Sequence, residues 1–140
     1  MKTLRAMMMG LVLLLACGIS QAAPIGHGNS KDEVIDTYLN AIVHGKLDGV
    51  SDAIDNDAQF YMKRGERVNT LTKAQIMDGL TANANIEQDC QCTKSVMQDD
   101  EGKKMLKVDM KYADYTRTDV ITAEHIGAGW KITKVETSFK

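Results

Sequence analysis

The chain has 140 residues, 17 basic and 19 acidic, with a formal net charge of −2 and 44% hydrophobic content. That length holds one domain with a sizeable core. The mild acidity excludes a nucleic-acid binder, because such binding begins with phosphate neutralisation.

Lys2 and Arg5 precede an apolar run from Ala6 to Ile19, and Ser20-Gln21-Ala22 supplies the small side chains a signal peptidase reads. Residues 1–22 are expected to be a signal peptide cut after Ala22, since a cut after Ala23 would leave Pro24 directly behind the scissile bond. The run falls short of the ~20 apolar residues of a spanning helix. Within it, Leu14-Leu15-Ala16-Cys17 resembles a bacterial lipobox, so a lipoprotein anchored through Cys17 is the alternative. The expected location is periplasmic or secreted, with membrane attachment only in the lipidated form. Without residues 1–22 the chain keeps 118 residues, 15 basic and 19 acidic, for a net charge of −4.

Residues 23–29 form a Gly-containing tail without period, and His27 there is expected to be solvated. Residues 30–140 make the domain. Ser30 can cap a helix, and Glu33 completes the capping box. Val34, Ile35, Tyr38, Leu39 and Ile42 recur at helical spacing, and Gly45 ends the pattern as a left-handed cap. Leu47, Val50, Ala53 and Ile54 predict a second, shorter helix closed by an Asp55-Asn56-Asp57 turn. A lone strand from Ala58 to Lys63 follows, then a turn at Arg64-Gly65-Glu66. Thr72 and Gln75 box a third helix that ends at Asn83 to Asn85.

From Ile86 the period changes to two. Ile86 to Gln98 predicts a strand, and Asp99-Asp100-Glu101-Gly102 a hairpin turn. From Lys104 to Tyr112, Leu106, Val108, Met110 and Tyr112 face one way and Lys107, Asp109 and Lys111 the other. Thr116 to Ile126, a Gly127-Ala128-Gly129 connection and Trp130 to Phe139 complete an antiparallel meander.

Cys90 and Cys92 would be the cysteines left after cleavage, in an oxidising compartment. On a strand their Cα separation lies near the upper limit for a bridge. A local bend would bring them within reach, and so short a loop contributes only roughly 1.5 kcal/mol. A disulfide and a pair of thiols both remain open. A metal would need two further ligands, and no His stands at usable spacing.

Several pieces together resemble the nuclear transport factor 2 superfamily, in particular its bacterial branch labelled "putative lumazine-binding" or SnoaL-like. They are Val34-Ile35-Asp36-Thr37-Tyr38-Leu39 running to His44-Gly45-Lys46-Leu47-Asp48, Asp57-Ala58-Gln59-Phe60, Lys73-Ala74-Gln75-Ile76 and Gly129-Trp130-Lys131-Ile132-Thr133-Lys134-Val135. The resemblance spans nearly the whole domain and implies an α+β cone, a strongly curved antiparallel sheet wrapping N-terminal helices. A pocket at the open end and a homodimer through the outer sheet face are further implications.

Enzymes of that superfamily, such as ketosteroid isomerase and scytalone dehydratase, work with Asp, Tyr or His groups inside the cone, where an apolar cavity can raise a carboxyl pKa. The corresponding candidates are Tyr38, Tyr61, Asp114, Asp119 and His125. None sits in a recognisable local motif. Asp114 and Asp119 read as turn or rim residues, Tyr38 and Tyr112 as core aromatics. Glu124 and His125, adjacent on a strand, point to opposite faces. Asp55-Asn56-Asp57 begins like a calcium loop but has Phe60 where the Gly belongs. No phosphate loop or nucleophile elbow occurs. Pocket-lining candidates are Tyr38, Ile42, Tyr112 and Trp130. The expectation is an exported, cofactor-free module that holds a small apolar ligand or associates with a protein, with an isomerase or lyase built on an Asp–Tyr pair as the alternative.

Overall fold

The computed structural model describes residues 29–127 and 129–140. The expected signal peptide, the tail up to residue 28 with His27, and Cys17 lie outside the described residues.

Helices α1 (Lys31–His44) and α2 (Val50–Ala53) open the domain. The hairpin β1 (Ile54–Arg64) and β2 (Arg67–Leu71) follows, then α3 (Lys73–Ala82). Strands β3 (Gln91–Asp99), β4 (Lys103–Lys111), β5 (Thr116–Ile126) and β6 (Gly129–Phe139) complete it. All six strands form one sheet in the order β2-β1-β6-β5-β4-β3. Its pairings are antiparallel except β1 with β6, which is parallel.

At the start of α1 the Ser30 hydroxyl accepts from the Glu33 amide, and the Glu33 carboxylate accepts from the Ser30 amide. Gly45 closes the helix at φ 67°. Val34, Ile35, Tyr38, Leu39, Ala41, Ile42 and Val43 are all buried. Each large apolar side chain buried this way stabilises by roughly 1.5–3 kcal/mol. That gain, rather than propensity, holds a helix containing four β-branched apolar residues. Its counterpart is the inner face of the sheet, where Phe60, Leu106, Val108, Met110, Ile121, Ala123, Ile132 and Val135 are buried.

Ladder irregularities interrupt the sheet between Ile54 and Gln59, Val96 and Gln98, and Thr122 and Ala123. Such bulges bend strands and increase their twist, which wraps the sheet around α1. α3 packs Ile76, Met77 and Leu80 against the core without burying any residue completely. The domain is therefore less filled at that end.

Three expectations are corrected. Ile54 to Asp57 belong to β1 rather than to a helix end and turn. The turn-like character of Asp55 survives as a carboxylate accepting from the Asp57 amide (3.2 Å), within the stretch where the β1–β6 ladder slips. β1 is not a lone strand, because Arg67–Leu71 pairs back onto it from Arg64↔Arg67 to Phe60↔Leu71. The strand predicted from Ile86 starts only at Gln91. Asn85 and Gln88 instead donate to the carbonyls of Gly45 and Val43, tying this segment to the end of α1.

Candidate functional site

The inward row of β5 runs Arg117, Asp119, Ile121. Opposite stand Met110, Val108 and Leu106 in β4, and Phe139, Thr137 and Val135 in β6. A polar rung thus crosses an otherwise apolar surface. Asp119 is 0% exposed. Arg117 grips it through Nε to Oδ1 and Nη2 to Oδ2, each 3.0 Å, and the Thr137 hydroxyl donates to Oδ1 at 2.8 Å. Burial alone would pull the Arg117 pKa down, but the charge and hydrogen bonds of Asp119 outweigh it and hold the guanidinium firmly protonated. Taking two charges out of water costs several kcal/mol per ion, offset only by geometry of this quality.

The pair lies beneath a cavity of about 340 Å³. α1 contributes Tyr38, Ala41 and Ile42; α3 contributes Gln75, Ile76, Gly79 and Leu80. Met62 and Leu71 come from the β1–β2 hairpin, Asn83 and Gln88 from the segment after α3, and Arg117 from β5. A space of this size, mainly apolar with a few converging polar groups, has the character of a small-molecule site. Asp119 occupies two of the five Arg117 N–H donors. The cavity also offers the side-chain amides of Gln75, Asn83 and Gln88.

Tyr38 is 2% exposed, its ring 6.2 Å from that of Phe60. Burial, and then the nearby Asp119 charge, raise its pKa, so the phenol stays neutral. Tyr112 stacks on Tyr115 at 4.7 Å and donates its hydroxyl to Gln88 Oε1 at 3.1 Å. Burial, reinforced by Cys90, pushes the Tyr112 phenol up to about 12.

The residues singled out from sequence are dispersed. Tyr38 and Ile42 line the cavity, and Tyr112 touches its rim through Gln88. Trp130 lies outside that lining: its ring stands edge-on to His125 at 5.5 Å and 5.6 Å from the Lys31 ammonium. His125 and Asp114 are exposed. Tyr61 faces the other side of the sheet from Phe60, with the Lys134 ammonium 5.7 Å from its ring. Asp119 is not a rim residue but lies in the middle of β5, because Arg117 two residues earlier shares its face and neutralises it. Sequence reasoning missed Arg117, although Arg-x-Asp inside an alternating strand is a visible signal for an inward ion pair. It also missed Gln75 and Gln88 as cavity residues.

Cys90 is half-buried against the core and Cys92 exposed, both as thiols with Sγ atoms 3.9 Å apart. Among the described residues no group of three or more His, Cys, Asp or Glu gathers as a metal site. No described helix is long and apolar enough to cross a membrane.

Comparison with known proteins agrees with this geometry. A family model described as "Putative lumazine-binding" matches residues 29–137. No curated protein matches. Among solved structures, a nuclear transport factor 2-like protein of unknown function from Silicibacter pomeroyi is similar at 16% identity and TM-score 0.63, over 78% of this chain and 92% of that one. A ketosteroid isomerase-like protein from Erwinia carotovora atroseptica is similar at 12% identity and TM-score 0.57, over 77% and 92%. A "Putative calcium/calmodulin-dependent protein kinase type II association domain" from Thiobacillus denitrificans is similar at 8% identity and TM-score 0.56, over 79% and 95%. At these identities the likeness establishes the fold, an α+β unit of N-terminal helices and a six-stranded, mostly antiparallel sheet.

Proposed function

The chain belongs to the family described as "Putative lumazine-binding", within the nuclear transport factor 2-like superfamily, and from that premise we propose a non-catalytic module that holds a small molecule in the cavity above Arg117. The observation that carries this reading is the composition of the cavity. Its apolar walls from α1, α3 and the β1–β2 hairpin surround a few fixed polar groups, Arg117, Gln75, Asn83 and Gln88. Such a site takes a ligand with an apolar body and an edge of hydrogen-bond acceptors. The family description supports a lumazine-like heterocycle as the first probe.

The buried acid argues against catalysis. Both Asp119 oxygens are engaged, by Arg117 and by Thr137, and no hydrogen bond joins Asp119 to Tyr38. A general base needs a lone pair aimed at the proton it removes. An isomerase or lyase working through an Asp119–Tyr38 pair would first have to break the ion pair.

We also propose, from the apolar run and Ser20-Gln21-Ala22, an exported protein that begins at Ala23, with a form tethered through Cys17 as its rival; intact mass of the native product separates the two. A homodimer would use the outer sheet face around Tyr61, Val68 and Val120, and sedimentation measures it.

Two measurements test the ligand reading. The first is mass spectrometry of small molecules released from protein purified from its own host. The second is a titration with a fluorescent lumazine against wild type, Leu80→Trp and Gln88→Leu. Leu80→Trp fills the cavity, and Gln88→Leu removes a rim acceptor and donor. Both variants are expected to bind on the order of tenfold more weakly, the equivalent of about 1.4 kcal/mol. Binding unchanged by both, or no released molecule and no lumazine binding at all, refutes the proposal.

A further inference from the structure

We infer that Cys90 and Cys92 form a thiol–disulfide exchange site, with Cys92 as the entry sulfur and Cys90 as the resolving one. The site is separate from the cavity above Arg117 and stands where the irregular segment after α3 enters β3.

The two sulfurs are already neighbours, at 3.9 Å. Cys92 lies inside β3 and Cys90 just before it. Residues two apart in fully extended chain hold their Cα atoms about 6.5 Å apart, at the top of the range a disulfide tolerates. Closing the bridge therefore needs a bend at Gln91. The surroundings allow it, because β3 is an edge strand of the sheet and all nine of its residues are exposed.

The sulfurs differ in access. Cys90 packs against the core beside Tyr112, and burial pushes its thiol pKa up. Cys92 opens into a groove between α1 and the sheet, where Asp36, Asn40, His44 and Lys94 are its polar neighbours. Attack comes from the accessible thiolate rather than the buried thiol. The oxidant is a low-molecular-weight or protein disulfide, RSSR. The Cys92 thiolate attacks one of its sulfurs, the S–S bond breaks, and one RSH leaves with the proton Cys92 gave up. Cys90, deprotonated in turn, attacks the Cys92 sulfur of the mixed disulfide and displaces the second RSH. The protein loses two electrons and two protons, and RSSR gains them. Reduction runs the same steps backwards.

This bridge belongs with labile disulfides rather than with structural staples. Its loop is among the shortest a chain can close, so chain entropy contributes little. Strained or exposed disulfides are the ones that exchange readily.

The test uses the full chain, reduced and then equilibrated in mixtures of reduced and oxidised glutathione. Acid quenching and alkylation of free thiols precede digestion. The tryptic peptide from Ala74 to Lys94 carries both sulfurs and leaves Cys17 elsewhere. In wild type this peptide is expected to pass from doubly alkylated to internally bridged within the glutathione range. Cys90→Ser is expected to accumulate a glutathione adduct on Cys92 on the order of tenfold faster than Cys92→Ser does on Cys90. A peptide that stays bridged in excess reduced glutathione, or stays dithiol in excess oxidised glutathione, overturns the inference. Equal adduct rates in the two single variants overturn the order of attack and with it the site.

Discussion

Asp119→Ala removes the anion from a buried ion pair and leaves Arg117 without its partner. Breaking such a pair from one side costs about 3–5 kcal/mol, because a charge stays buried uncompensated. The Arg117 side chain keeps 21% of its surface and borders the cavity, so it can hydrate. That places the loss at the lower end, about 3 kcal/mol, against a total of about 5–15 kcal/mol for a domain of ordinary stability. Equilibrium urea unfolding reads it as a lower midpoint with an unchanged slope. The double variant Arg117→Met with Asp119→Leu removes both charges and keeps the volume apolar. It is expected to match wild-type stability or exceed it by about 1–4 kcal/mol, while losing the polar floor of the ligand site. A loss below about 1 kcal/mol in Asp119→Ala, or a double variant as unstable as the single, would show that the pair does not hold the centre of the sheet as argued.

Gly45→Ala should cost more than about 2 kcal/mol by urea midpoint: the residue sits at φ 67°, and a Cβ would lie 2.6 Å from the backbone nitrogens of Asn85 and Ile86. Gly79→Ala, inside α3 with nothing within 4 Å of the new methyl, should stabilise by roughly 0.5–1 kcal/mol; a loss there would contradict the assigned helix. Asp32→Asn should destabilise at neutral pH and become indistinguishable from wild type in strong acid. The Lys104 hydrogen bond, opposed by some burial and helped by the Lys104 charge, holds the Asp32 carboxyl below its ordinary 3.8. The unfolded chain therefore takes up the proton first, so this contribution is present above pH 3.8 and lost as pH falls through the lower folded value. A midpoint difference that persists or widens in acid would refute it.

Both capping boxes stand openly in the sequence, because Ser30 with Glu33 and Thr72 with Gln75 act on neighbours three residues away. The inward row of β4 is equally legible, since its burial alternates with the chain's own alternation. β2 is not. Arg67-Val68-Asn69-Thr70-Leu71 has no fully buried residue, so backbone pairing to β1 holds it and no apolar pattern marks it. Ile86 misleads in the opposite way, an apolar residue 48% exposed in irregular chain. The candidate site suffers most, because polar residues facing inward break the rule by which faces are read. Asp119 looks like an outward residue until Arg117 and Thr137 are seen beside it, and Thr137 lies eighteen positions away.

The last of the described strands is the one on which the sheet depends. Among the described residues, β6 lies between β5 and β1 and joins the N-terminal hairpin to the rest of the sheet. Until Gly129–Phe139 has emerged, α1, α2, β1 and β2 lack the strand that links them to the β3–β5 meander. The parallel contact of Phe60 with Val135 must then close a loop of 75 residues, and long closures of this kind slow folding more than they weaken the folded state. The sheet therefore stays open while everything before Gly129 is made. Deleting β6 would cost the sheet its continuity as well as the contacts of its 11 residues.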